Sequence, residues 1–153
     1  MNLDYFKAAE RDISSLPLLK KSIGIMKSRQ ERLIARGAPR EPAGIDFDKP
    51  YSDSRSVNDT LGELLALAEI GREIRDTEEE IAEIEAVLAD IPKELKTVIE
   101  YFYIRGMSAE KIAEKIFVES EKTVYNLRNK GVAMFAVLYY GASAKRTEKI
   151  GKK

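Results

Sequence analysis

The sequence predicts an all-α protein: an N-terminal long helical hairpin of coiled-coil character, followed by a three-helix helix-turn-helix unit. Three observations carry this expectation. Residues 16–36 and 57–91 each repeat apolar residues at alternating steps of three and four, the signature of a helical seam. Helix start and stop residues recur at the ends of these and later segments. The 153 residues are 44% hydrophobic and 34% charged, which suits long, thinly packed helices better than one compact core. Three parts are expected: a helical module over 1–91 with a flexible loop at 37–55, a DNA-binding unit over 92–141, and a disordered basic tail over 142–153.

Composition narrows the chemistry. The chain has no Cys and no His, so disulfides, thiolate or His-based nucleophilic machinery and His- or Cys-ligated metals are excluded. We expect no enzyme and no cofactor. No run of about 18 apolar residues exists, so no membrane partner is expected. The start, MNLDYFKAAERD, lacks the basic-then-apolar pattern of a secretory signal, and a cytoplasmic location is the default expectation.

Charge is balanced overall but not locally. Residues 1–45 hold 9 basic and 5 acidic side chains, 46–91 hold 4 and 14, and 92–153 hold 13 and 7. A basic C-terminal part prompts the question of nucleic-acid contact. The same pattern also describes helices whose charges are merely solvated.

Along the chain, Leu3, Phe6, Ala9 and Ile13 recur at helical spacing and predict a short first helix. Ser14-Ser15-Leu16-Pro17 reads as an interruption and restart. From Leu16 to Arg36 the seam is Leu16, Leu19, Ile23, Met26 and Leu33, with Gln30 as a polar break. Gly37 and Pro39 end it. The link from Gly37 to Arg55 has three Pro and two Gly. Ile45, Phe47 and Tyr51 are its apolar anchors. Asp46, Asp48 and Asp53 could suggest a hard-cation site, but the closing Glu and glycine of a calcium loop are missing. Ser56 and Asp59 resemble a capping box. The helix they open has the seam Val57, Leu61, Leu64, Leu67, Ile70, Ile74, Ile81, Ile84, Leu88 and Ile91, and is about 50 Å long at 1.5 Å per residue. Two such seams joined by one loop predict a hairpin, closed within one chain or between two, and the same seams suit a homodimer.

Pro92 restarts the chain as a helix to Ile104, with Leu95, Val98, Ile99, Phe102 and Tyr103 on one side and Gly106 as its stop. Ser108 caps a helix over 109–116, whose inner face is Ile112, Ala113 and Ile116. A turn, Phe117-Val118-Glu119, precedes Ser120, the cap of a last helix from Glu121 to about Tyr140. Val124, Leu127, Gly131, Phe135 and Leu138 are expected inward. Gly131 costs about 1 kcal/mol of helix propensity relative to Ala, which close packing would offset. The outward polar positions near the start of this helix are Glu121, Lys122, Tyr125, Asn126 and Asn129. A recognition helix needs hydrogen-bonding groups for base edges at such positions. Lys115, Arg128 and Lys130 are the candidate phosphate contacts.

The stretch MSAEKIAEKIFVESEKTVYNLRNKG resembles the helix-turn-helix of sigma-factor region 4, through Ser108, Ile112-Ala113, Ile116, Ser120, Thr123-Val124 and Lys130-Gly131. The layout over roughly residues 5–138 resembles small phage and mobile-element transcription regulators of Gram-positive bacteria, of the late-gene-activator type. Here the turn is one residue longer than in those proteins, with four residues from Phe117 to Ser120. The resemblance implies a sequence-specific regulator that binds double-stranded DNA and works with RNA polymerase. The alternative is a helical adaptor that binds RNA polymerase or another regulator without touching DNA. A carboxylate enzyme built on Asp46, Asp48 and Asp53 has no second motif behind it.

Overall fold

Asp4 opens the first helix: its carboxylate accepts the Lys7 N–H at 3.1 Å and its carbonyl accepts the Ala8 N–H at 3.0 Å. In the computed structural model, which describes residues 4–37 and 57–145, every regular element is a helix. These are α1 (Tyr5–Gly37), α2 (Val57–Asp90), α3 (Lys93–Ile99) continued by a π-helical segment (Glu100–Ile104), α4 (Ala109–Ile116) and α5 (Glu121–Tyr140). No helix among the described residues is long and apolar enough to cross a membrane. Ser56, the link with Asp46, Asp48 and Asp53, and residues 146–153 of the expected tail lie outside the described residues. Residues 142–145 form a further helical turn, with Ala144 buried.

The interruption expected at 14–17 is absent. α1 runs through Pro17, although proline has no N–H for the Ile13 carbonyl. Ser14 and Ser15 do not leave the helix to cap a new one. Their hydroxyls donate back to the carbonyls of Glu10 and Asp12, both at 2.7 Å. Ala9, Ile13 and Leu16 are buried around this point. Tertiary packing overrides the local break.

The described chain groups into two compact units, one of residues 1–19 and 80–153, the other of 20–79. In the second unit Lys27 pairs with Glu78 at 3.4 Å. Its seam residues Ile23, Met26 and Leu33 are half-buried, as is Leu19 at the edge of the first unit, whereas Leu61 and Leu64 are exposed. The apolar seam of α2 therefore becomes a buried one only from Ile74 onward.

The first unit holds most of the core. Ile81, Ile84, Leu88 and Ile91 are buried there with Leu95, Val98 and Ile99 of α3, Ile112 and Ala113 of α4, and Val124, Val132, Phe135 and Ala136 of α5. Leu138, expected inward, is 49% exposed. Near its end α5 instead turns Tyr139 and Tyr140 inward: Tyr139 stacks on Phe135 at 5.4 Å, and Tyr140 lies 5.3 Å from the Tyr5 ring. Gly131 is where α5 meets α3. A Cβ there would stand 2.6 Å from Ile99 Cδ1 and 3.4 Å from Leu95 Cβ.

Within this unit two tyrosines bond to the start of α1. The Tyr103 hydroxyl donates to Glu10 Oε2 at 2.7 Å, and the Tyr140 hydroxyl donates to Asp12 Oδ2. Burial, and then the bonded carboxylate, push both phenols above their usual pKa of 10.0. Tyr139 is raised as well, by burial and by Asp12, Glu80 and Glu83. A folded-state value above the unfolded one means the stabilisation is complete below pH ~10 and is lost as pH climbs through the folded value. Tyr103→Phe should cost about 1–2 kcal/mol at neutral pH. It should also flatten the alkaline fall in stability, read by urea titration on both sides of pH ~10. An unchanged alkaline slope would count against this origin.

Candidate nucleic-acid interface

The stretch from Gly106 to Ser120 is shaped by local backbone chemistry. The π-helical segment ends with the Arg105 N–H on the Glu100 carbonyl at 3.0 Å and the Met107 N–H on the Tyr101 carbonyl at 2.9 Å. Gly106, at φ 63°, makes the left-handed step that this reversal requires. Ser108 then caps α4, its hydroxyl accepting the Lys111 N–H at 3.3 Å. Ser120 caps α5 through the Thr123 N–H at 3.3 Å, and its hydroxyl lies 3.0 Å from the Thr123 hydroxyl. Both caps stand where the sequence predicts them.

Between the caps, Phe117 ends α4 in the left-handed conformation, φ 59°, and the Val118 N–H reaches the Ala113 carbonyl at 3.0 Å. This is a Schellman closure with Phe in the position usually held by glycine. The ring gains nothing in return within the described residues, for Phe117 is 94% exposed. Phe117→Gly should therefore stabilise the fold by about 1 kcal/mol. The check is a thermal melt; a lower melting temperature would mean the ring has packing partners.

The start of α5 divides cleanly by face. Val124 is fully buried and Leu127 is packed beside it in a cluster with Val98, Ala109, Ile112 and Ala113. Glu121, Lys122, Tyr125, Asn126 and Asn129 are all exposed, as are Lys115 and Lys130. Glu121 also suits the positive end of the helix dipole, which gives it a structural reason to be there.

Arg128 differs from its two lysine companions. It is half-buried, with its guanidinium 4.6 Å from the Phe102 ring centroid and 5.0 Å from that of Tyr125. Its Nε and a terminal nitrogen donate to Asn129 Oδ1 at 3.1 and 2.8 Å. Three of its five N–H donors stay available, because guanidinium carries five. The same bonds alter what Asn129 can do. Its carbonyl is occupied, so it can offer only its NH2 to a base, which fits an acceptor such as a purine N7. The exposed Asn126 side chain makes no hydrogen bond among the described residues, so its carbonyl and its NH2 are both available, the pair of groups that bidentate adenine recognition uses.

Sequence reasoning missed the aromatic side of this surface. Tyr101, Phe102 and Tyr103 are consecutive on the π-helical segment and turn to three different neighbours. Tyr101 meets Arg105 and Lys115, Phe102 meets Arg128 and Tyr125, and Tyr103 meets Glu10. The Tyr-Phe-Tyr triplet beside Arg105 was the available signal; the five-residue helical register that spreads it was not. No group of three or more Asp or Glu side chains suited to a metal ion occurs among the described residues. The chain matches no protein-family model, and no curated protein or solved structure matches it.

Proposed function

We propose that the chain is a sequence-specific double-stranded-DNA-binding transcription regulator of phage or mobile-element genes. Its helix-turn-helix is α4, the turn 117–120 and α5. The observation that carries this reading is the division of α5. Its Ser120-capped start buries Val124 while leaving Lys122, Tyr125, Asn126 and Asn129 outward beside the cations Lys115, Arg128 and Lys130. α5 enters a major groove. Asn126, Asn129, Lys122, Tyr125 and Glu121 read base edges, and the three cations hold phosphates. The long helices form a hairpin, a reading supported by the Lys27–Glu78 ion pair. The exposed Leu61, Leu64 and Leu65 on that arm suit a second copy or RNA polymerase as partner.

Fluorescence-anisotropy binding to genomic fragments from the gene's own neighbourhood, at two salt concentrations, tests the reading. One fragment should bind far more tightly than the others at both salt concentrations, while all affinities fall as salt rises. Asn126→Ala should then cost about 1–3 kcal/mol on that fragment while leaving random duplex untouched. Lys130→Ala should weaken all duplexes alike. Equal losses on every sequence for Asn126→Ala would remove it from base reading.

A second reading has one observation in its favour. The fully displayed Phe117 ring is an apolar contact that suits a protein partner. In that case the C-terminal helices bind RNA polymerase or another regulator as an adaptor. No duplex binding even at low salt, with salt-insensitive capture of polymerase, is the outcome that selects it.

A further inference from the structure

We propose that Arg105 and Lys115, gathered over the ring of Tyr101, form a second phosphate-binding site for duplex DNA, next to the face of α5. The proposal rests on the DNA-binding reading, which already contains Lys115, and adds Arg105 and Tyr101 to it.

The geometry is specific. The Arg105 guanidinium carbon lies 5.3 Å from the Tyr101 ring centroid and the Lys115 ammonium 5.5 Å from it. Both side chains are exposed, and neither has a carboxylate within ion-pair distance among the described residues. The ring attracts both cations and so holds each of two otherwise free chains near Tyr101. A phosphate at this ring is drawn to cations that the ring already holds nearby. Phosphate suits this pair, because Arg presents a planar fork and Lys a compact point charge.

Backbone bonds hold the site in place. Arg105 is fixed to the π-helical segment by its own N–H, and the Met107 N–H closes onto the carbonyl of Tyr101 itself. Tyr101 packs against the buried cluster of Val98, Ala109, Ile112, Ala113 and Val124. The ring under the two cations is therefore anchored even though the cations are not.

Continuity with α5 points to duplex DNA and not to a small anion. Phe102, the next residue, meets the Tyr125 ring edge-on at 6.2 Å, and Arg128 covers both rings. Tyr125, Arg128 and Phe102 thus form one stacked aromatic–cation row, and Tyr101 is the residue that precedes Phe102 in the chain. A backbone passing the base-reading face can continue along it and meet a second phosphate contact.

The test uses the full chain and a labelled random-sequence duplex, followed by anisotropy through a salt series. Arg105→Gln and Lys115→Gln should each lower the log–log salt slope by about one. Each should weaken random and specific duplexes by the same several-fold factor. Arg105→Lys should keep the slope, because it keeps the charge. Thermal melts should be unchanged for both glutamine variants. Inorganic phosphate added at constant ionic strength should compete no better than sulfate; selective competition by phosphate would replace the duplex with a free anion and overturn the proposal. Parent-like slopes in both glutamine variants would also overturn it while leaving DNA binding intact. A parent chain that binds no duplex would remove the DNA reading, and this site with it.

Discussion

Phe135→Ala should cost about 3–5 kcal/mol of stability, a large part of the 5–15 kcal/mol typical of a whole domain. Phe135 is completely buried and heads the fully buried side chains by volume. Truncation loses the transfer free energy of the ring and leaves a cavity that the neighbouring helices fill only in part. It also removes the ring against which Tyr139 stacks, at 5.4 Å and an interplanar angle of 11°. Such pairs add about 0.5–1.5 kcal/mol beyond area burial. Urea unfolding followed by near-ultraviolet circular dichroism is the suitable measurement. The chain has no Trp, and all of its tyrosines but Tyr51 belong to the unit that contains Phe135. A loss below about 1 kcal/mol would show that the site collapses freely or that the ring is not part of this core.

Gly131→Val is expected to be comparably severe, at about 3 kcal/mol or more, because overpacking and a branched side chain act together. The smaller change Gly131→Ala is more informative. Alanine gains about 1 kcal/mol of helix propensity. Its Cβ, however, meets Ile99 Cδ1 at 2.6 Å and Ile99 Cγ1 at 3.2 Å. Ile99 is itself wholly buried, so its end has no open space to swing into. Overpacking of about 1–3 kcal/mol should prevail and give net destabilisation. Ile99→Val removes the offending methyl and alone costs about 0.5–1.5 kcal/mol. The double variant should be more stable than the sum of the single effects predicts, by about 1 kcal/mol. Strict additivity would mean that the glycine answers some need other than the approach of α3.

Where local chemistry decides, the fold is readable without coordinates. Ser108 and Ser120 announce the starts of α4 and α5, and Gly106 the end of the π-helical segment. In each case one residue supplies a capping oxygen or a left-handed φ that few others can. Gly131 was legible for a related reason, as a poor helix former on an apolar face. Pro17 shows the limit. Its local message is a break, but the burial of Ile13 and Leu16 outweighs the missing hydrogen bond. Periodicity likewise marks α2 as one seam, yet cannot say that Leu61 and Leu64 stay exposed while Ile84 and Leu88 are covered. That depends on what lies opposite. The candidate site divides in the same way. Exposure of Lys122, Asn126 and Lys130 follows from helical spacing. The capture of the Asn129 carbonyl by Arg128 and the gathering of Arg105 and Lys115 at Tyr101 depend on rotamers and on the π register, and neither leaves a mark in the sequence.

The tyrosine bonds to α1 have a kinetic side. Tyr103 and Glu10 are 93 residues apart, and Tyr140 and Asp12 are 128 apart. Contacts this distant close late, since the intervening chain must first give up its loop entropy. During synthesis at about 5–20 residues per second, the first turns of α1 leave the ribosome seconds before their tyrosine partners exist. Ala9, Ile13 and Leu16 spend that interval without their final neighbours. The local α3–α4–α5 contacts form quickly once made, so docking of the α1 start becomes the slow closing step. Nascent chains halted before Tyr140 should accordingly be more open to proteolysis at α1 than the finished protein.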